Sequence, residues 1–403
     1  MKSATTALLL FAATAAGVAA YPFVHGSSTT PGNPPQTIAP APQPAATQAA
    51  RVDVAFVLDT TGSMSGLIQA AKEKIWSIAS TLASGQPAPE IRMGLVAFRD
   101  RGDTYVTRVT DLSSDLDSVY ATLMDFQAAG GGDGPESVNL ALDHALNKLS
   151  WSQEPNTYRV IFLVGDAPPH MDYADETQWP HTVATAQSRG IRVNAVLCGT
   201  SQETGSTWQQ IAQAGQGDYF QVDQDGSAVA ITSPYDERLA ALSKDLDATR
   251  LYYGSETVRA EKERKLDATA KLHESASVAS RARRAAFNAT LSGKENLLGK
   301  NELVDDVASG RVSLEEIAPT ALPEPMQAMS QDEQKKVLAE ATERRATLSE
   351  EIRQLADRRD AWLKDKVKAE GGAEASLDRK IYEAVKTQAA GAGLRYSADA
   401  PRY

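Results

Sequence analysis

Cysteine is almost absent: Cys198 is the only one in 403 residues. No intrachain disulfide can form, and a Cys-based zinc site is excluded. Its setting, VNAVLCG, is apolar, which marks a buried small hydrophobe rather than a reactive thiol. Histidine is scarce too, with five in all. Positive charge is in deficit: 41 Lys and Arg stand against 52 Asp and Glu, for a formal net charge of −11 and a pI near 5.1. A general nucleic-acid or anionic-membrane binder shows a basic face instead. Mild acidity suits a soluble protein that binds cations or cationic partners. Beyond Val24 no apolar run is long enough to span a bilayer. No Walker A loop, HExxH helix or GxGxxG in the right context occurs. At 42% hydrophobic and 23% charged, the chain can still bury a sizeable core, in two or three domains.

The N-terminus reads MKSATTALLLFAATAAGVAAYPF. Lys2 gives a positive start, an apolar stretch follows, and Val18-Ala19-Ala20 forms a small-residue cleavage site. Residues 1–20 therefore read as a bacterial-type signal peptide. The alternative is an uncleaved signal anchor, because Ala7 to Val24 approaches the roughly 20 residues that span a bilayer. The expected location is exported, either periplasmic or secreted, or held at the inner membrane by that anchor. Within residues 21–50, the stretch from Gly26 to Ala50 is rich in Pro, Ala, Ser and Thr, with almost no large apolar side chain. Such a segment cannot bury enough surface to offset its ordering entropy, so it reads as a disordered linker.

From Arg51 the texture changes. VDVAFVLD, IRMGLVAF, YVTRVTDL, YRVIFLVGD, RVNAVLC and DYFQV read as strands. Between them lie helical periods, the first with Leu67, Ala71, Ile75, Ile78 and Leu82 on one face. Strands that alternate with helices, several of them continuously apolar, predict an α/β fold. It is a doubly wound, mostly parallel sheet flanked by helices, over residues 51–233. Residues 234–403 lack strands and predict an α-helical region. There Ser330 and Glu333 form a capping box opening a long helix. Leu348, Ile352, Leu355 and Trp362 make one apolar stripe, which predicts a helical hairpin or short coiled coil. Gly371-Gly372 sets off a last helix, LDRKIYEAVKTQ. The simplest use of these helices is packing on the first domain or on one another; self-association through them is the alternative.

In open parallel sheets ligands bind beyond the carboxyl ends of the strands. Three loops fall there: Asp59-Thr-Thr61-Gly-Ser63-Met-Ser65, the loop GGGDGPES with Asp133, and GDAPPH with Asp166. Each offers the oxygen ligands that hard cations take. Asp59, Thr61 and Ser63 are spaced so that a curled loop turns all three side chains to one side.

Strand, DxTxS and helix, followed by the GGGD and GDAPPH loops, resemble the von Willebrand factor type A domain with its metal-ion-dependent adhesion site. The resemblance covers roughly residues 51–230. It implies Asp59, Thr61, Ser63 and Asp166 as ligands of a divalent cation, Mg²⁺ first, with Ca²⁺ or Mn²⁺ as alternatives. Asp133 stands where the family usually has a threonine. A third carboxylate leaves the site about one charge negative against a divalent ion, so an acidic ligand is disfavoured. Calcium or a closed structural metal becomes more plausible.

Simpler readings stand beside these. Asp133-Gly-Pro-Glu136 also reads as an N-cap with Glu at N3. Ser65 reads as a partner of the helix start, or as part of the rim. His170, Trp179 and His181 follow the third loop, as rim or as exposed loop residues. Ser63 lacks a G-x-S-x-G elbow and Asp59 lacks a D-x-D partner, so a hydrolase is the least favoured function. Arg101-Gly102-Asp103 spells RGD, a tripeptide that arises by chance, and reads as loop sequence. The expectation is a non-enzymatic, exported binding module that uses its cation face to hold another protein. The alternative is an assembly protein in which the metal only stabilises the fold and the C-terminal helices bind partners.

Overall fold

The computed structural model describes residues 50–132, 134–224, 231–369 and 377–397. The signal-peptide and linker readings, Asp133 and the Gly371-Gly372 break lie outside the described residues. No helix among the described residues is long and apolar enough to cross a membrane.

Six strands form one sheet: β1 (Arg51–Asp59), β2 (Glu90–Phe98), β3 (Thr107–Ser113), β4 (Thr157–Gly165), β5 (Ile191–Cys198) and β6 (Gln216–Val222). Their order is β3-β2-β1-β4-β5-β6. All neighbours run parallel except the edge pair β2–β3. Every residue of β1 after Arg51 is buried, as a central strand covered on both faces requires. Side chains alternate between the faces. Val52, Val54, Phe56 and Leu58 enter one core with α1 (Ser65–Ala83) and α2 (Leu116–Met124). Ala55 and Val57 enter the other, with α3 (Val138–Asn147), α4 (Trp179–Ser188) and α5 (Gln202–Ala214). Cys198 is 1% exposed, and burial pushes its thiol well up, in keeping with a packing role.

The chain winds from β1 toward β3 on one side and through β4 toward β6 on the other. The order therefore reverses at β1, and the carboxyl ends of β1 and β4 flank a natural crevice. At the far edge, Gly217 lets β6 pass close to β5. A Cβ there would fall 2.1 Å from the Val193 carbonyl oxygen and 2.6 Å from its carbon, both backbone atoms that cannot step aside. Gly217→Ala is expected to cost about 2 kcal/mol of stability, within the usual range for overpacking. Urea unfolding checks it; an unchanged midpoint would show that β6 can move.

The C-terminal region is helical: α6 (Asp236–Asp247), α7 (Glu256–Ser275), α8 (Val278–Asn288), α9 (Lys294–Leu298), α10 (Leu303–Ala308), α11 (Gln331–Ala369) and α12 (Leu377–Gln388). The capping box before α11 is present: Ser330 N donates to Glu333 Oε2 at 2.8 Å, and Glu333 N donates to Ser330 Oγ at 3.4 Å. The stripe on α11 is not used as a paired hairpin. Leu348, Ile352 and Leu355 pack into a cluster with α6, α8 and α9 instead. The helices also pack on the first domain, as the simpler reading of them expects. Leu272 of α7, Phe287 of α8 and Ile381, Tyr382 and Val385 of α12 join the same core as β1 and α1.

Polar groups tie the same seam. Gln388 accepts from Tyr158 Oη at 2.7 Å and donates to Asn194 Oδ1 at 2.7 Å and Asp218 Oδ2 at 2.8 Å. Deeper, the fully buried Arg284 donates to Asp117 of α2 at 2.6 Å, and to Asp247 of α6 at 2.7 and 3.1 Å. An ion pair so dry needs every partner in place.

Candidate cation site at the carboxyl ends of the strands

Asp59 ends β1 and is 1% exposed. The chain curls back on its carboxylate at once. Thr61 N donates to Asp59 Oδ1 at 2.8 Å and Thr61 Oγ1 at 2.6 Å, and Ser63 Oγ stands 3.4 Å from Thr61 Oγ1. The first loop thus brings three of its expected ligands together. A short 3₁₀ turn, Gly62–Met64, then leads into α1. Ser65 is the exposed first residue of that helix and does not line the crevice.

The second loop crosses over the first. Gly62 N donates to Gly130 O at 3.2 Å. Gly130 and Gly131 both have φ of +81°, a region glycine enters without strain. A Cβ on Gly130 would fall 2.1 Å from Asp103 Oδ1, so a side chain there would have to displace the Asp103 carboxylate as well as strain the backbone. Asp103 in turn accepts from Gly131 N at 3.2 Å. Arg101 lies over the Tyr173 ring and pairs with Asp175 and Glu176 at 2.8 and 2.9 Å. The RGD triplet is therefore bound into this scaffold.

The N-cap reading of this loop is corrected. α3 begins at Val138 with Ser137 at its N-cap, so Glu136 lies before the helix and not at N3. Ser137 Oγ donates to Asp100 Oδ1 at 2.8 Å. Glu136 N donates to Pro168 O at 2.9 Å, and Glu136 O accepts from His170 N at 3.1 Å, which ties the second loop to the third. The Glu136 side chain lines the crevice and is 3% exposed. Sequence reasoning spent this acid on capping and missed it as a site residue. The available signal was its place in a glycine-rich loop at the end of a buried sheet.

The third loop contributes Asp166. Its Oδ2 accepts from Gln224 Nε2 at 2.7 Å, and the same nitrogen lies 3.2 Å from Ser63 O. Nothing in the sequence marked Gln224. His170 is neither rim nor exposed loop. It is 6% exposed, stacks on Tyr173 and bonds Asp172 at 2.8 Å, with Asp100 at 3.4 Å. Trp179 is buried as the first residue of α4, because its indole fills the second core; His181 is exposed on that helix.

Together the loops enclose a cleft of about 450 Å³ lined by Thr61, Ser63, Glu136 and Asp166, with Ser201 and Thr204 across it. Negative charge concentrates here. Burial, opposed by the Thr61 hydrogen bonds and reinforced by Asp166, pushes the Asp59 carboxyl up to about 7. Burial and then Asp59, Asp100, Asp103 and Asp166 push Glu136 up to about 9. Asp59 Oδ2 and Glu136 Oε2 are both buried without a hydrogen bond to any described residue. An unpaired buried oxygen costs about 1–3 kcal/mol, more when charged. Oxygen donors of this kind fit a hard cation. Among the described residues no three His, Cys, Asp or Glu side chains alone form a metal-holding group, so a cation here would need the hydroxyls of Thr61 and Ser63 as well.

A family model described as von Willebrand factor A domain matches residues 53–233. Von Willebrand factor A domain-containing protein 7 of Rattus norvegicus is 41% identical over 93 residues, 23% of this chain and 10% of that protein. Alpha-protein kinase vwkA of Dictyostelium discoideum is 30% identical over 121 residues, 30% of this chain and 19% of that protein. The chain spans between a tenth and a fifth of the length of the curated relatives it matches. Among solved structures, the conserved hypothetical protein BatB from Bacteroides thetaiotaomicron is similar at 20% identity and a TM-score of 0.33, over 44% of this chain and 93% of that one. With its reversed edge strand and its strand-tip loop of acid and hydroxyls, the segment 53–233 belongs to the von Willebrand factor A domain family.

Proposed function

We propose that the chain is an exported, non-enzymatic module that holds a partner protein through a divalent cation at this cleft. One observation carries the reading: Asp59, Thr61, Ser63, Glu136 and Asp166 converge while two buried carboxylate oxygens lack partners. Mg²⁺ is the first choice of ion, with Ca²⁺ or Mn²⁺ as alternatives. Asp133, in the same loop as Glu136, remains a candidate for contact with the ion, directly or through water. Asp59, Glu136 and Asp166 place three carboxylates about the cleft against the ion's two charges, and, since the three alone do not form one metal-holding group, Thr61 and Ser63 would complete the ligand set. A neutral or cationic group of the partner, rather than a carboxylate, therefore suits the remaining coordination position. A hydrolytic use of Ser63 is disfavoured because no histidine among the described residues lines the cleft. Export rests on the leader sequence of residues 1–20.

The test is affinity capture on the immobilised chain with Mg²⁺ or EDTA, beside Asp59→Ala. Partners released by EDTA and lost in the variant support the reading. Partners retained equally in both contradict it. In the second reading the ion only stabilises the fold and the helices bind partners; the negative, crowded site favours it. It requires that substitutions on the exposed faces of the C-terminal helices abolish complexes that Asp59→Ala leaves intact.

A further inference from the structure

Away from the cation cleft, α6, α7 and α8 enclose a second cleft of about 340 Å³. Its walls carry Lys244, Arg250, His273 and Arg281 against Asp247 and Glu274. Asp247 is already neutralised, by Arg284 at 2.7 Å and Arg250 at 3.4 Å. The charge left facing the cleft is positive, and Lys244 and Arg281 make no ion pair among the described residues.

Two nitrogens here, His273 Nδ1 and Arg281 Nε, are buried and make no hydrogen bond to any described residue. The His273 side chain is only 10% exposed. Its Nε2 stands 2.7 Å from Asp247 Oδ2, a carboxylate oxygen held ionised by two guanidiniums, so Nε2 donates. The cleft thus offers cationic donors, the Lys244 ammonium and the Arg281 guanidinium. A carboxylate brings one negative charge to them. A phosphate group brings close to two, spread over three acceptor oxygens, and so meets both cations at once.

We propose that this cleft binds a phosphate group. Arg281 and Lys244 take its anionic oxygens. Leu266, 39% exposed on the same cleft, offers apolar contact to the body of a phosphate ester. Because Asp247 also belongs to the buried ion cluster, the ligand rests on the seam that joins the helices to α2.

The test is calorimetric titration of the full chain in EDTA, at fixed ionic strength, with inorganic phosphate, glycerol phosphate and acetate. Saturable binding of either phosphate is expected, weakened about tenfold or more by Arg281→Gln and by Lys244→Gln, as for loss of a charge-assisted hydrogen bond. Lys244 is exposed, so its variant carries little folding risk. Arg189→Gln, on a different cleft, should change nothing. Tighter glycerol phosphate identifies an ester as the ligand, and tighter inorganic phosphate the free ion; both support the site. No saturable binding, equal binding of acetate, or unchanged binding in both cleft variants overturns it.

Discussion

Arg284→Ala is expected to destabilise the chain by about 3–5 kcal/mol, the usual effect of removing one partner from a buried ion pair. Arg284 and Asp117 are each 0% exposed, and Asp247 is 7% exposed. Deleting the guanidinium leaves two dry carboxylates facing each other across α2 and α6. Thr269 and Asn296 also bond Asp117, at 2.8 and 3.3 Å, but neither brings charge. The pH dependence should change sign as well. Burial alone would raise the Asp247 carboxyl, but Arg284 and Arg250 outweigh it and hold it at about 2. Asp117 is likewise held below the carboxylate range, chiefly by Arg284 against burial. Depressed carboxyls contribute stability above their unfolded pKa of ~3.9, and it is lost as pH falls through the folded values. In Arg284→Ala burial acts with less opposition, so acidification from about pH 7 to 5 should stabilise the variant relative to wild type. Urea unfolding at both pH values measures this. A loss under about 1 kcal/mol, with no change in pH trend, would mean that the seam is wet and the cluster incidental.

Stripped of cations by EDTA, the wild-type chain should lose stability as pH rises. Asp59 and Glu136 have folded values of about 7 and about 9. Both lie above their unfolded values of ~3.9 and ~4.3. The folded state therefore binds more protons through this window, and stability falls from about pH 4 up toward 9. Glu136→Gln removes its share, because an amide has no proton to lose. At about pH 9 in EDTA the variant should exceed wild type by about 2 kcal/mol. That is less than the full shift implies, since the open cleft admits screening solvent. The same substitution should abolish most stabilisation by added cation. Unfolding midpoints across pH decide it; a flat wild-type profile, or a variant that still responds fully to cation, would remove Glu136 from the site.

The sheet was legible because buried parallel strands carry their pattern in consecutive residues. In β1, Val52 to Leu58 are apolar apart from Asp53, and this acid is satisfied by Arg92 at 2.6 and 2.9 Å. The first loop was legible for the same local reason: Asp59, Thr61 and Ser63 are near in sequence and stay near in space. Glu136 was misjudged because a capping acid and a cleft-lining acid differ only in where the helix starts, here a matter of four residues, Ser137 rather than Asp133 standing at the N-cap. Gln224 and Asp103 reach the site across long sequence separations that no local pattern records. The stripe of α11 was visible, but the three helices that receive it are a tertiary fact. So is the joint core that places Tyr382 beside α1.

The central claim is that the cleft holds a divalent cation. Thermal unfolding of the full chain in EDTA, and then with excess Mg²⁺, Ca²⁺ or Mn²⁺, tests it most directly, with Asp59→Ala alongside. A ligand that binds only the folded state adds ~2.7 kcal/mol at a hundredfold its dissociation constant. The expected result is a clear rise in Tm for wild type with at least one ion and none for Asp59→Ala. A folded wild-type chain whose Tm moves with none of the three ions, or a variant that responds as wild type does, contradicts the claim.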